Sequence, residues 1–86
     1  MKIEFDPAKD AINRLKHGLS LAAAATMEIE AAFIVPDERY NYREARLQAY
    51  GLIDGRLHVL AFTMRGDVLR AISLRKANSR EVRRYG

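Results

Sequence analysis

The sequence predicts a single α+β domain, residues 1–86, with two N-terminal helices, an antiparallel sheet and a short C-terminal helix. Three observations support this prediction. An apolar stripe with helical spacing follows Asp6-Pro7. Two tight turns, at Asp54-Gly55 and Arg65-Gly66-Asp67, separate segments in which side chains alternate as in β-strands. Asn78 stands three residues before Glu81, a spacing close to a capping box. A chain of 86 residues allows one domain and no more.

The N-terminal elements are the most clearly marked. Ile3 to Phe5 is a short strand candidate. Asp6-Pro7 opens a helix, because aspartate is a favoured N-cap and proline at the first helical position loses no needed hydrogen bond. Gly18 ends this helix. Its expected core-facing stripe comprises Ala8, Ala11, Ile12 and Leu15.

The middle of the chain predicts a second helix and then the sheet. Ser20 caps a helix over Leu21 to Met27, which four consecutive alanines favour. Phe33-Ile34-Val35 is a short apolar strand, and residues 37–43 form a polar loop. The strands of the expected meander run from Glu44 to Ile53, from Arg56 to Met64 and from Val68 to Lys76.

Composition excludes several kinds of site. The chain has no cysteine, so disulfides and cysteine-based zinc sites are excluded. Two histidines alone cannot form a histidine-rich metal cage, and we expect neither a metal nor another cofactor. No apolar run approaches the length of a membrane helix. The N-terminus reads directly into a strand and lacks the pattern of a signal peptide, so we expect a cytoplasmic protein.

Charge is distributed unevenly along the chain. The net charge is +4, but residues 1–42 carry −2 and residues 43–86 carry +6. Nine of the ten basic residues in the second half are arginines. Arginine binds phosphate through a planar fork, whereas lysine offers a point charge. This half therefore favours a nucleic acid, RNA above all, or an acidic protein as partner over a merely solvated surface.

Strand alternation groups many of these side chains on one face of the sheet. If the helices cover the apolar face, we expect Ile72 and Leu74 on the covered face and Ala71 on the other. The other face then presents phosphate-binding, hydroxyl and aromatic groups from three strands. This predicted face collects Arg46, Gln48, Tyr50, Thr63, Arg65, Ser73 and Arg75.

An ordered set of short motifs runs through almost the whole chain. It begins with Phe5-Asp6-Pro7-x-Lys9, Asn13, Lys16-His17-Gly18 and Ser20. It continues with Glu44-x-Arg46-x-x-Ala49-x-Gly51 and Val59-x-x-Phe62-Thr63-x-Arg65. It ends with Arg70-x-Ile72-Ser73-x-Arg75-Lys76-Ala77, Glu81 and Tyr85. With this set the chain resembles the BrnT family of type II toxin–antitoxin toxins. It departs from that family's pattern after the second helix, where Glu28-Ile29-Glu30-Ala31 lacks a proline.

The resemblance implies a fold similar to the RelE toxins, with helices on a curved antiparallel sheet. It implies a ribonuclease that cuts RNA and thereby lowers translation and growth. It also implies a BrnA-like antitoxin with a ribbon-helix-helix DNA-binding domain, in a heterotetramer that meets DNA only through the antitoxin. No membrane role is implied.

Cleavage of RNA without a metal needs a base, a cation over the phosphoryl oxygens and an acid for the leaving oxygen. We predict that Arg65 and Arg75 stabilise the phosphoryl charge, with Arg46 next. His17 is the acid–base candidate, because histidine ordinarily exchanges protons near neutral pH. A histidine in the last helical turn also interacts favourably with the helix dipole, and this alternative stays open.

Four further residues are predicted to bind substrate. They are Lys16, Ser73, Arg84 and Tyr85. Tyr85 has three possible roles, which are stacking on a base, donating a proton and anchoring the C-terminal helix. Lys16 is a candidate for phosphate contact or for simple solvation. The run Arg80, Arg83 and Arg84 is a candidate for contact with the RNA backbone or with an acidic antitoxin segment, or for simple solvation. Ion pairs from Glu44 and Glu81 are expected to orient arginines. The alternative to a nuclease is a basic module that binds RNA or the antitoxin without catalysis.

Overall fold

A computed structural model describes residues 2–39 and 41–86. In chain order its strands and α-helices are β1 (Lys2–Glu4), α1 (Pro7–His17), β2 (Phe33–Pro36), β3 (Leu47–Ile53), β4 (Arg56–Arg65), β5 (Val68–Lys76) and α2 (Ser79–Tyr85). Two 3₁₀ segments, Leu21–Thr26 and Ile29–Ala31, lie between α1 and β2. The five strands form one sheet in the order β1-β5-β4-β3-β2.

The predicted meander is present, and its turns have the expected backbone. Asp54 and Gly55 both have positive φ, 51° and 73°, as a two-residue hairpin turn requires. Gly66 supplies φ 63° at the second turn. β3 begins at Leu47 rather than Glu44. The predicted antiparallel pairing is present from β2 to β5, but the sheet as a whole is mixed, because β1 joins the free edge of β5 in parallel.

The second predicted helix forms as a 3₁₀ segment. Leu21, Ala24 and Met27 are spaced three residues apart and are buried, at 0%, 4% and 6% exposure. A helix with three residues per turn places this spacing on a single face, whereas an α-helix rotates it away. Burial of these three side chains therefore accompanies the tighter helix, despite the α-helical propensity of the alanines.

The polar side of α1 faces the rest of the protein, so the prediction that the apolar stripe faces the core is wrong. Ile12 and Leu15 are 56% and 88% exposed, while Asp10 and Asn13 are buried. The Asn13 amide donates to the Leu74 carbonyl and accepts from the Leu74 N–H, both at 2.9 Å. Because β1 pairs with β5 only from Val68 to Arg70, Asn13 satisfies backbone groups of β5 beyond the end of that pairing.

A β-bulge changes the predicted alternation in β5. Pairing passes from Ala61 with Ser73 to Phe62 with Ala71 and skips Ile72. Ala71 is therefore buried beside Leu74 in the core, and the expected placement of Ala71 and Ile72 is wrong. The other parity predictions for this strand concern Ser73, Leu74 and Arg75, which follow the bulge, and they hold.

The sheet carries an apolar cluster on each face. The 3₁₀ segments cover the larger cluster, which comprises Leu21, Ala24, Met27, Ala49, Ile53, Leu60, Phe62, Leu69, Ala71 and Leu74. On the opposite face, here called the open face, α2 covers one end. There Tyr85 and Ala77 pack on Tyr50, Leu57 and Val59. The rest of the open face holds the polar groups described next.

Candidate functional site

The strand register places the predicted polar side chains on the open face. Gln48, Ala61 and Ser73 are neighbours across β3, β4 and β5, and Tyr50, Val59 and Arg75 form the next such row. Thr63 pairs with Arg70 on the other side of the bulge, and Arg65 pairs with Val68 at the turn. The predicted grouping on one face is thus observed, with Arg46 just before β3.

Two cavities lie on this face. The first, here called the basic cavity, has a volume of about 400 Å³. Its walls are Lys9, Ile12, Asn13, Lys16, His17, Arg39, Gln48, Val59, Ala61, Ile72, Ser73 and Arg75. The second cavity, of about 360 Å³, is formed by Lys9, Tyr42, Arg43, Glu44, Arg46, Thr63, Arg65, Arg70 and Ile72. Because Lys9 and Ile72 line both cavities, the two are adjacent.

The basic cavity concentrates positive charge. Four of its walls are lysine or arginine side chains, His17 is a fifth basic group, and none of the described lining residues is a carboxylate. Lys9 and Lys16 make no ion pair among the residues that the structure describes. Such an arrangement attracts anions, phosphate groups in particular.

α1 is held beside the cavity by buried polar contacts. The Asp10 carboxylate accepts from the Leu21 N–H at 2.7 Å and from the Ser20 hydroxyl at 3.1 Å. These contacts, the Leu21 hydrogen bond first, lower the pKa of Asp10. Asn13 also donates to the Leu19 carbonyl at 2.9 Å. The buried contacts of Asp10 and Asn13 therefore fix the orientation of α1 and with it the positions of the helix residues that line the cavity.

Arg75 is positioned by α2. Its guanidinium donates to both oxygens of Glu81, at 2.7 and 2.8 Å, a bidentate geometry. This hydrogen bonding lowers the pKa of Glu81 and raises that of Arg75. The ion pair expected from Glu81 is confirmed, and the same carboxylate completes the capping box with Asn78.

Arg39 is a candidate site residue that the sequence analysis did not identify. Its Nε and Nη2 donate to the two oxygens of Asp37, both at 2.9 Å, while the Asp37 side chain is only 1% exposed. The hydrogen bond from Arg39 lowers the pKa of Asp37. Because this pair lies in a polar stretch interpreted as a loop, the only available signal was its Asp-x-Arg spacing.

Arg65 and Arg75 lie apart. Arg65 lines the second cavity and Arg75 the basic cavity. Arg75 pairs with Val59, which lies six residues from Arg65 along β4, about 20 Å at the rise of an extended strand. Arg65 instead contacts Glu44 at 2.9 Å, which confirms the second expected ion pair. The structure therefore does not place these two arginines on one phosphoryl group.

The remaining predicted residues divide between the two cavities and α2. Lys16, His17 and Ser73 line the basic cavity with Arg75. Arg46 lines the second cavity, with its guanidinium 4.1 Å from the centre of the Tyr42 ring. On α2, the Arg84 guanidinium lies over the Tyr85 ring at 5.4 Å.

Tyr85 packs within the protein. Its ring stacks on that of Tyr50, with centroids 4.0 Å apart and planes 19° apart. Its centroid is also 5.6 Å from that of Phe33. These contacts match the anchoring role for Tyr85, because one face of the ring is occupied by Tyr50.

The described residues include no group of three or more histidine, cysteine or acidic side chains with metal-binding geometry. In the same part of the chain, none of the helices combines the length and the apolar character that spanning a membrane requires. No curated protein matches the chain significantly. A family model matches residues 5–81, nearly the whole sequence, and is described as the ribonuclease toxin BrnT of type II toxin–antitoxin systems. The chain therefore belongs to the BrnT family of ribonuclease toxins.

Proposed function

We propose that this toxin is a metal-independent RNA endonuclease that cleaves within the basic cavity. The observation that carries the proposal is the lining of that cavity, which combines His17, two lysines without a described ion pair and two positioned arginines. A cavity of about 400 Å³ on an open face is suited to a phosphate and parts of its neighbouring nucleosides.

In this mechanism the ribose 2′-oxygen attacks the adjacent phosphorus while His17 accepts its proton. Arg75 faces the charge that develops on the phosphoryl oxygens. The leaving 5′-oxygen is protonated by an ammonium of the α1 wall, Lys9 or Lys16. Arg39 and Ser73 hold the bound strand, and the second cavity, with Arg46 and Arg65, takes phosphates further along it.

The experiment is cleavage of a labelled single-stranded RNA in the presence of EDTA. We expect cleavage by the wild type and at least about a hundredfold slower cleavage by His17→Asn, the magnitude of a lost general base. Arg75→Lys keeps the charge but loses the planar fork, and we expect it to cleave more slowly as well. Arg56→Ala, on an exposed residue beside the Asp54-Gly55 hairpin turn, is the matched control and should cleave normally. Dependence on a divalent ion, or normal cleavage by His17→Asn, would refute the mechanism.

The rest of the proposed biology follows from family membership. We propose a single RelE-like domain that acts in the cytoplasm, lowers translation and arrests growth. Its partner is a BrnA-like ribbon-helix-helix antitoxin, in a heterotetramer that reaches DNA only through that antitoxin. Growth arrest on expression, relieved by co-expression of the neighbouring reading frame, tests this arrangement.

One observation favours a second candidate function, RNA binding without catalysis. Each of Arg39, Arg65 and Arg75 is already paired with a carboxylate, so the positive charge that it offers to a transition state is partly neutralised. Salt-sensitive binding of RNA that stays intact over a long incubation would support this function and contradict the nuclease.

A further inference from the structure

The apolar stripe of α1 faces away from the protein. At about 100° per residue, Asp10 and Asn13 project toward one side of the helix and Ile12 and Leu15 toward the opposite side. Asp10 and Asn13 are 9% and 3% exposed, while Leu15 is 88% exposed. Ala8 and Ala11, which complete the stripe, are also exposed.

This orientation reverses the usual amphipathic helix, which buries its apolar stripe against the core. A single exposed leucine is ordinary, but a row at i, i+3, i+4 and i+7 is a contiguous apolar surface. The polar inner side is also specific, because Asn13 bonds to Leu74 and Asp10 to Leu21. The helix is thus fixed with its apolar row directed outward.

The charges beside the row indicate what covers it. Lys9 and Lys16, seven residues apart, lie along one flank of the row, and Arg14 lies toward the other. The one acidic residue of α1, Asp10, is buried and paired with Arg14 at 3.1 Å. A second copy of the chain, packed α1 against α1, would oppose these like charges. An acidic partner would neutralise them.

The row also adjoins the basic cavity. Ile12 forms part of the cavity wall, together with Lys9, Lys16 and His17 of the same helix. A segment lying on Ile12 and Leu15 would therefore reach the lysines that RNA needs under the proposed function. Binding to this surface would exclude RNA from the cavity.

We propose that the outer surface of α1 is the docking surface for the antitoxin, which lays an acidic amphipathic segment along Ile12 and Leu15. The apolar row of that segment packs on the stripe, and its carboxylates meet Lys9 and Lys16. Neutralisation then results from covering the basic cavity. This assignment of the docking surface rests on the proposed pairing with an antitoxin and does not require that the chain cleaves RNA.

The test uses the full chain and, as its probe, the purified antitoxin from the neighbouring reading frame. Binding is measured by calorimetry for the wild type, Ile12→Glu, Leu15→Glu and the double variant. We expect each single change to weaken binding at least about tenfold. Each change removes a large apolar side chain from the interface and replaces it with a carboxylate that an acidic partner repels. Leu15→Glu, at a residue outside the lining of both cavities, should escape neutralisation in a growth assay.

Val82→Glu, at an apolar position of α2 that is 46% exposed, is the matched control. Unchanged affinity in the double variant, or an equal loss with Val82→Glu, overturns the proposal. The proposal is also overturned if sedimentation shows that the wild type is a dimer and that Leu15→Glu is a monomer, because a second copy of the chain then covers the apolar row of α1. Circular dichroism confirms that the variants are folded. The calorimetry contains no RNA, so weaker antitoxin binding by Leu15→Glu can be measured even if the chain cleaves no RNA, and failure of the nuclease proposal leaves a distinct result.

Discussion

Arg75 and Glu81 join β5 to α2 through two parallel hydrogen bonds of 2.7 and 2.8 Å. The Glu81 carboxylate also accepts the backbone N–H of Asn78 at 2.9 Å, so one side chain both caps α2 and holds Arg75 at the cavity. The Glu81 side chain is 15% exposed and that of Arg75 is 36% exposed. This pair therefore couples the C-terminal helix to the proposed site.

Replacing Glu81 with glutamine should separate positioning from charge. The single amide oxygen cannot accept both guanidinium N–H groups and also the N–H of the cap. We therefore expect the free energy of unfolding to fall by about 1–2 kcal/mol, a modest loss because solvent screens the partly exposed pair. RNA binding should become tighter, because one negative charge is removed, while cleavage slows. Urea unfolding, RNA titration and single-turnover cleavage measure the three effects.

Glu30→Gln is the matched control for this charge change. Glu30 lies exposed on the second 3₁₀ segment and makes no ion pair among the described residues. This variant should leave stability and cleavage unchanged. Normal cleavage by Glu81→Gln would contradict a positioning role for Glu81.

Acid should destabilise the protein, because Asp10, Asp37, Glu44 and Glu81 all have lowered pKa values in the fold. A carboxyl with a lowered folded pKa contributes stability above its unfolded value, and that contribution is lost as the pH falls through the folded value. The unfolded values are 3.8 for aspartate and 4.5 for glutamate. We therefore expect the melting temperature to be constant near neutral pH and to decrease once the pH is lower than about 4.5.

The buried Asp37 tests the origin of this loss. Asp37→Asn removes the ion pair with Arg39, so the variant should be less stable at pH 7, and its melting temperature should depend less on pH below 4.5. Asp67→Asn, at the exposed turn between β4 and β5, is the control and should behave as the wild type. The assignment would be wrong if Asp37→Asn kept the full acid dependence.

Asn13 should be important for stability although it lies on an exposed helix. Its amide makes three hydrogen bonds of 2.9 Å, to Leu19 and Leu74, and the residue is 3% exposed. Asn13→Ala leaves buried backbone groups unpaired, so we expect a loss of about 2–3 kcal/mol in urea unfolding. Asn41→Ala, in the exposed loop before β3, is the control, and an equal effect there would contradict this account.

Local signals in the sequence were sufficient to predict most of the strands and both tight turns. Asp54-Gly55 requires positive φ at both positions, and Asn78 with Glu81 forms the predicted capping box. Alternation in β3 and β4 then assigned the polar side chains to one face correctly. These features depend on neighbours in the chain, so a single sequence contains the information.

The errors have a different origin, since they depend on contacts between distant residues. The inward side of α1 is decided by the bonds of Asn13 to Leu74, 61 residues away, which outweigh the apolar stripe. The bulge at Ile72 and the parallel pairing of β1 with β5 depend likewise on how strands meet. The grouping of Arg39 with Arg75 in one cavity required the folded loop, and so did the separation of Arg65 from Arg75.

Lys9 should contribute to RNA binding mainly through its charge. It lines both cavities and has no ion pair among the described residues, so a bound strand that crosses from one cavity to the other passes it. Lys9→Ala should weaken binding for all RNA sequences alike and reduce the slope of log affinity against log salt by about 0.7, the value for one phosphate contact with a single strand. Lys2→Ala, at the exposed edge strand β1, removes the same charge outside both cavities and should leave the slope nearly unchanged. Titration at four salt concentrations measures both slopes, and equal slopes for the wild type and Lys9→Ala would place the RNA elsewhere on the surface.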